Sequence, residues 1–407
     1  MANILYLVHR LPFPPNKGDK VRSYHLLRHL LQSHRVFLGT FIDDPDDEQH
    51  LPTLKALCPD LHVERLHPRS AKLKSLSGLL RGEALTLAYY RSAGMQRWVQ
   101  DTAAAHPMQA SVVFSSSMAQ YAQALAPQVP MLVDFVDVDS AKWTQYAPEH
   151  RWPLSWLYRR EGRRLLAYER AVAAQAQRSF FVTPNETALF LSQAPESAGR
   201  VQSLSNGVDS DFFAPDPQRP NPFAPDEQAV VFNGAMDYWP NIDGVGWFVA
   251  DMLPQLLARW PRARFYIVGR SPTPQVLALA TDRVLVTGTV PDVRPYLQHA
   301  AAVVAPLRVA RGIQNKILEA MAMQQAVVTV NSCADAIGAT AAQGQLRADT
   351  PEQFLQALQP LLGAPEHAAA LGRAARQFVV QGFSWQAHLS GIDACLVQSS
   401  APEASHV

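Results

Sequence analysis

AVVFNGAMDYWPNIDGVGWFVADMLPQLLARWPRARFYIV, residues 229–268, reads as one strand–helix–strand unit. Its ends, Ala229–Phe232 and Ala263–Val268, are short continuous apolar runs, the pattern of parallel strands covered on both faces. Between them Val245, Phe248, Val249, Met252, Leu253, Leu256, Leu257 and Trp260 recur at the i, i+3, i+4 spacing of a single buried stripe. That spacing predicts a helix over Ile242–Trp260.

The same unit recurs in both directions along the chain. Strands are predicted at Asn3–Val8, Val36–Phe41, Ser111–Phe114, Met131–Val136 and Ser179–Thr183, and again at Val284–Thr287, Ala302–Pro306 and Ala326–Val330. Strands alternating with amphipathic helices imply an α/β protein with doubly wound parallel sheets. The alternation breaks at residues 214–227, where five prolines fall without periodicity. This stretch reads as a linker between two halves of similar size.

A chain of 407 residues with 48% hydrophobic and 17% charged residues has the composition of two ordinary globular domains. A net charge of +1 excludes a global field for nucleic acid, so no nucleic-acid partner is expected. Residues 1–206 nevertheless carry 23 Lys+Arg against 18 Asp+Glu, and the remainder 13 against 17. The basic front half points to an anionic partner on that side. Cys58, Cys333 and Cys395 form no C-x-x-C pair, which fits a reducing cytoplasm. The first residues lack the basic leader of a signal peptide, and no apolar stretch is long enough to span a bilayer.

Ligands of open α/β sheets bind beyond the carboxyl ends of the strands, so the residues after each strand matter most. His9–Lys20 follows the first strand, and Asp137-Val138-Asp139-Ser140 follows Met131–Val136. Asn233–Asp237 follows Ala229–Phe232, and Arg308–Ala322 follows Ala302–Pro306. In this last segment Gly312 permits a tight loop at a helix start, where free N–H groups and the helix dipole favour a phosphate. Arg308, Arg311 and Lys316 add positive charge, and Glu319, about one turn in, offers acceptors for a ribose diol. The alternative is a basic loop followed by an ordinary first-turn glutamate.

The chain has no G-x-G-x-x-G after the first strand and no G-x-x-x-x-G-K-[ST], which excludes the usual dinucleotide and P-loop sites. His25 and His29 stand four apart on a helix, but with no third ligand they read as a solvated face. Asp137-Val138-Asp139 matches a metal-binding D-x-D, but a structural or acceptor-contact role suits a two-domain chain better. Asp60–Arg97, with seven Lys+Arg against three acidic residues and the run Leu76-Ser-Gly-Leu-Leu, reads either as a solvated helix pair or as a membrane-surface patch.

Gly312-Ile-Gln-Asn-Lys-Ile-Leu-Glu-Ala-Met-Ala resembles the nucleotide-sugar signature of family 4 retaining glycosyltransferases, and Asn206-Gly207-Val208-Asp209 with Phe212 or Phe213 resembles their hinge-side motif. Three phrases resemble the exosortase/PEP-CTERM-associated sugar transferases of bacterial exopolysaccharide loci. They are Pro-Asn-Lys-Gly-Asp-Lys-Val-Arg-Ser, Asp134-Phe-Val-Asp-Val-Asp-Ser-Ala-Lys-Trp143 and Arg311-Gly-Ile-Gln-Asn-Lys.

The resemblance implies the GT-B fold, two Rossmann-like domains facing a central cleft. The N-terminal acceptor-side domain would span 1–205 and the nucleotide-sugar domain 206–376. A helix over 377–398, with Trp385, would cross back, and a disordered tail would cover 399–407. The resemblance further implies that Glu319 binds the ribose, and that Lys316 and the Arg308–Gly312 loop hold the diphosphate. Gly18 and Gly234 would let backbone approach the donor, and Gly288–Val290 would lie near the base. Asp137 would face the reacting sugar.

The family's first signature glutamate is replaced by Arg311. Arg311 and Lys316 are therefore expected to share the leaving-group charge, with Gln314 and Asn315 reading the sugar. The implied activity is metal-independent, cofactor-free transfer from a nucleotide-diphosphate sugar. Its acceptor would be a glycan or a polyprenyl-diphosphate-linked glycan, met by a cytoplasmic protein in peripheral contact with the inner membrane. The alternatives are a sugar-nucleotide 2-epimerase of the same fold and, because of Arg311, a non-catalytic nucleotide-sugar-binding protein.

Overall fold

Short runs of branched and aromatic residues form the strands, and every pairing between strands is parallel. The computed structural model describes residues 1–15, 18–126, 128–309 and 313–398. Arg311, Gly312 and the expected tail over 399–407 lie outside them.

The chain divides into two units, one of Met1–Asn206 joined by residues 388–398, the other of Gly207–Ala387. The first holds β1 (Ala2–Val8), β2 (His34–Ile42), β3 (Leu61–Arg65), β4 (Ala110–Phe114), β5 (Met131–Val136), β6 (Arg178–Phe181) and β7 (Val201–Ser203) in the order β3-β2-β1-β4-β5-β6-β7. The second holds β8 (Gln228–Asn233), β9 (Ala263–Val268), β10 (Val284–Gly288), β11 (Ala302–Ala305), β12 (Val327–Thr329) and β13 (Gln345–Arg347) in the order β10-β9-β8-β11-β12-β13. Both are doubly wound sheets of the Rossmann kind. The order reverses beside β1 in one unit and beside β8 in the other, which are the positions where such sheets open a crevice.

Three strands escape the periodicity, β3, β7 and β13. All three lie at sheet edges or next to solvent, where one side needs no apolar cover, so LHVER, VQS and QLR carry no continuous apolar run. The helix expected over Ile242–Trp260 starts earlier and has an interruption. It runs Trp239–Trp247, widens into a π turn over Phe248–Met252 and resumes as Leu253–Arg259. Pro254 lacks an N–H and clashes with the carbonyl one turn back, and a widened turn absorbs both defects.

The proline-rich stretch 214–227 is not a linker. It packs on the second unit: Phe223 is buried in that core, Asp216 N–H donates to Gln298 Oε1 at 3.0 Å, and Gln298 Nε2 donates back to the Asp216 carbonyl at 2.7 Å. Proline suits this role because a segment bound by side chains needs few N–H donors of its own. His25 and His29 do not form a solvated face either. His25 is buried, and His29 Nε2 lies 2.9 Å from Asp393 Oδ1 on the Trp385–Gln398 helix.

The charges of the Gly18–Ser33 helix are largely consumed by the fold. Lys20 Nζ donates to both Asp47 oxygens at 2.6 Å. Arg22, 1% exposed, donates from Nε and Nη2 to Asp134 Oδ2 and Oδ1 at 2.7 and 3.1 Å, and from Nη1 to Asn206 Oδ1 at 3.0 Å.

Candidate functional site

Because the second sheet is wholly parallel, everything that follows β8, β9, β10 and β11 gathers at one edge. Asn233 ends β8 and the Asn315–Ala322 helix follows β11, so the two flank the reversal of strand order. Across it Asn233 Nδ2 donates to Glu319 Oε2 at 3.3 Å. Lys316, one turn earlier on the same helix, donates to Asn241 Oδ1 and sits 4.5 Å from the centre of the buried Phe232 ring. Asn241 Nδ2 donates to the Ala235 carbonyl at 2.8 Å, which leaves its oxygen aimed at the lysine.

Two glycines make room for this cluster. A Cβ on Gly234 would stand 2.8 Å from both Lys316 Nζ and Asn241 Nδ2. A Cβ on Gly269, just past β9, would stand 1.7 Å from the Gly234 carbonyl oxygen. The loops after β8 and β9 are therefore in backbone contact, and Gly234 N–H donates to the Val268 carbonyl at 2.9 Å.

Burial dominates the electrostatics. It lowers the Lys316 ammonium to about 8, with Glu319 opposing the shift. It raises the Glu319 carboxyl above its ordinary range, against Lys316 and the Asn233 hydrogen bond. A partly desolvated cation at a helix start binds an anion strongly, and a carboxylate held by one oxygen keeps the other for paired hydroxyls.

The remaining expected residues fall around this cluster. Gln314 and Asn315 stand at the start of the helix, Asn315 exposed. Gly288 ends β10 with a positive φ of 67°, and Val290 packs against the core. Arg308 turns to Asp243, donating from Nε and Nη2 at 3.1 and 2.6 Å, and lies over the Trp247 ring. Its charge is thus already matched. Asn233, Asn241, Asp243 and Gly269 were absent from the expected set. They belong to the site through partners from other strands, and only the strand-end position of Asn233 marked it locally.

In the first unit Gly18 opens the Gly18–Ser33 helix. Asp137 follows β5 and, with Asp139, takes the Lys142 ammonium at 2.8 and 3.0 Å. The chain reaches Asp137 through a strained residue: Val136 has φ 68°, a rare conformation for a β-branched side chain. Beside these residues lies a cavity of about 470 Å³, at the ends of β1, β4 and β5. His9, Tyr89, Tyr90, Trp143, Tyr158 and Asp139 are among its lining, and Asp137 is not. The His9 ring lies parallel to Phe114 and edge-on to Tyr90, and burial lowers its pKa. Its Nδ1 is buried without a partner, and its Nε2 stands 3.7 Å from Asp19. Flat aromatic faces interleaved with a few polar groups suit a ring that has one apolar face and hydroxyl edges. Among the described residues no group of three or more His, Cys, Asp and Glu is placed to hold a metal ion, and no helix is long and apolar enough to cross a membrane.

Residues 227–364 match the family described as Glycosyl transferases group 1, a span that contains Asn233, Gly234, Lys316 and Glu319. No curated protein sequence matches the chain. Among solved structures it is similar to sucrose-phosphate synthase from Thermosynechococcus elongatus, at 16% identity and a TM-score of 0.60, with 98% of this chain and 99% of that one covered. It is similar to Anabaena HepE in complex with UDP-glucose, at 14% identity and a TM-score of 0.62, with 98% and 100% covered. It is also similar to WaaG, a glycosyltransferase of lipopolysaccharide biosynthesis, at 17% identity and a TM-score of 0.59, with 98% and 100% covered. The chain therefore has the two-domain fold of the GT-B glycosyltransferases, and residues 227–364 of its second unit are similar to the Glycosyl transferases group 1 family.

Proposed function

We propose that the protein transfers a sugar from a nucleotide-diphosphate sugar, with retained anomeric configuration and without a metal, to a glycan or polyprenyl-diphosphate-linked glycan acceptor in bacterial exopolysaccharide synthesis. The observation that carries this reading is the cluster of Glu319, Asn233, Lys316 and Asn241 around Gly234, at the reversal of strand order and inside the matched domain. That HepE is described with UDP-glucose bound supports a nucleotide-sugar donor.

In this reading Glu319 accepts from the ribose hydroxyls. Lys316 and the N–H groups at the helix start neutralise the departing diphosphate, a task that preorganised donors perform well in a site shielded from water. Arg311 is assigned to the same charge. Gly288 and Val290 lie toward the base, Gln314 and Asn315 toward the sugar. The aromatic cavity of the first unit takes the acceptor ring, with Asp139 and Lys142 at its polar edge and Asp137 behind them, holding the Lys142 ammonium. The protein works in the cytoplasm, at the inner face of the membrane.

Mass spectrometry of reactions with a panel of nucleotide sugars and lipid-linked acceptors tests this. Transfer, or slow donor hydrolysis, is expected for at least one donor, and neither with any donor would overturn it. Conversion of UDP-N-acetylglucosamine without an acceptor would assign a 2-epimerase instead, and binding without turnover a binding protein. Glu319→Ala should weaken donor binding about 10- to 150-fold, the equivalent of one charged hydrogen bond. Its melting temperature should hold; a collapse with unchanged affinity would make Glu319 a structural residue.

Lys316 adds a pH dependence. Its ammonium, lowered to about 8, is charged below that pH and neutral above it. Affinity for a nucleoside diphosphate should therefore fall as pH rises through about 8, and binding above it should take up a proton. Calorimetry in two buffers of different ionisation enthalpy reads that uptake. Proton-neutral binding there would remove Lys316 from the diphosphate.

A further inference from the structure

Two segments of the first unit, far apart in sequence, are bound to each other, and each exposes large apolar side chains among cations. The Pro68–Ser75 and Ser77–Arg81 helices present Leu73, Leu76 and Leu80, exposed by 72%, 47% and 94%. Trp152, just before the Leu154–Gln175 helix, and Trp156, in its first turn, are exposed by 80% and 49%. Arg160 ties the segments together, donating to the Glu83 and Gly78 carbonyls at 3.0 Å each. Glu161 completes the seam by accepting from the Leu85 and Thr86 N–H groups at 2.7 and 2.9 Å.

The charge on this surface has one sign. Four exposed cations lie between Arg69 and Arg81, and four more between Arg151 and Arg164. The only acidic residue of 151–164 is the buried Glu161, and 66–82 has none. A solvated face would mix both signs, and a protein-binding face would concentrate its aromatics and shed lysine. Leucine and tryptophan standing proud among lysine and arginine match the interface of an anionic bilayer instead: the rings and aliphatic chains enter the headgroup layer while the cations meet its phosphates. The surface also rims the aromatic cavity, because Lys72 and Ser75 from one segment and Leu157 and Tyr158 from the other line it.

We propose that this surface docks on an anionic phospholipid bilayer and brings the cavity to headgroup level, where it meets a sugar carried on a lipid. The docking is independent of the catalytic reading; the use made of the cavity rests on it.

Flotation of the full chain with vesicles tests the docking. Vesicles of phosphatidylcholine with phosphatidylglycerol should carry the protein upward, pure phosphatidylcholine should not, and salt should release it. Trp152→Ala combined with Trp156→Ala should lower the partition about 10-fold. Lys74→Glu with Arg81→Glu should abolish the preference for anionic vesicles. None of these four side chains lies in the donor cluster, so nucleotide-induced thermal shifts should match wild type and certify the fold. Equal flotation on both vesicle types, or tryptophan variants that float like wild type, would overturn the proposal. So would a tryptophan variant that only loses self-association in sedimentation, which would assign the surface to a second copy. Absence of donor turnover in solution would overturn the catalytic reading and leave the flotation result standing.

Discussion

Asp134→Ala is expected to destabilise the first unit by roughly 3–5 kcal/mol, because it strands a guanidinium in the protein interior. Arg22 is 1% exposed and Asp134 2%, and their two hydrogen bonds are the main compensation for taking both charges from water. Asn206, which accepts from the third nitrogen, is neutral and cannot balance the charge. The matching double replacement, Arg22→Met with Asp134→Leu, should recover much of the loss, since a buried pair exchanged for apolar groups of similar volume is often neutral. Denaturant unfolding followed by a probe in the first unit checks both. A loss under about 1 kcal/mol for Asp134→Ala would mean that water reaches the guanidinium.

Gly269→Ala should be comparably severe in the second unit, for a steric reason. The new methyl would lie 1.7 Å from the Gly234 carbonyl oxygen and 2.8 Å from its carbonyl carbon. The obstacle is backbone, so no side-chain rotation relieves it, and the loops after β8 and β9 must part. A loss of at least about 3 kcal/mol is expected, with the nucleotide-induced thermal shift reduced as well, because Gly234 borders Lys316. Gly288→Ala is the control: its φ of 67° is also unfavourable for alanine, but no atom lies within 4 Å of the added carbon. That change should cost only about 1–2 kcal/mol. Equal losses for the two would show that backbone conformation, not contact, sets the requirement at Gly269.

The central strands were legible because burial on both faces leaves its mark on every residue. VVF in β8 and FYIV in β9 admit little else. The edge strands β3, β7 and β13 were not, because a strand half in water writes half a pattern. The Asn315–Ala322 helix was legible for a related reason: Lys316 and Glu319 are one turn apart, so their joint appearance is a local fact. Their partners Asn241 and Asn233 lie 75 and 86 positions away, and only folding brings them in. Distance misled as well as concealed. The cations of Gly-Asp-Lys-Val-Arg invite a ligand when read alone, yet Lys20 and Arg22 are spent on Asp47 and Asp134, 27 and 112 positions on. Arg308 is likewise matched by Asp243, 65 positions before it. The surface proposed to dock on a bilayer was half visible, since Asp60–Arg97 showed its basic helix pair, while Trp152 and Trp156 come from a segment that shares no local pattern with it.

The first unit is begun first and finished last. Its sheet is complete once Ser203 has been made, but residues 388–398 also belong to it, and they emerge only after the whole second unit. At the usual pace of a ribosome that interval lasts roughly 10–40 s. Throughout it the side of the Gly18–Ser33 helix that bears His29 lacks Asp393, and the places of Leu389 and Ile392, each 1% exposed in the finished protein, stand empty. A nascent chain in that condition leaves this apolar surface uncovered for tens of seconds, and it is at this stage, rather than in the mature protein, that chaperone binding is expected.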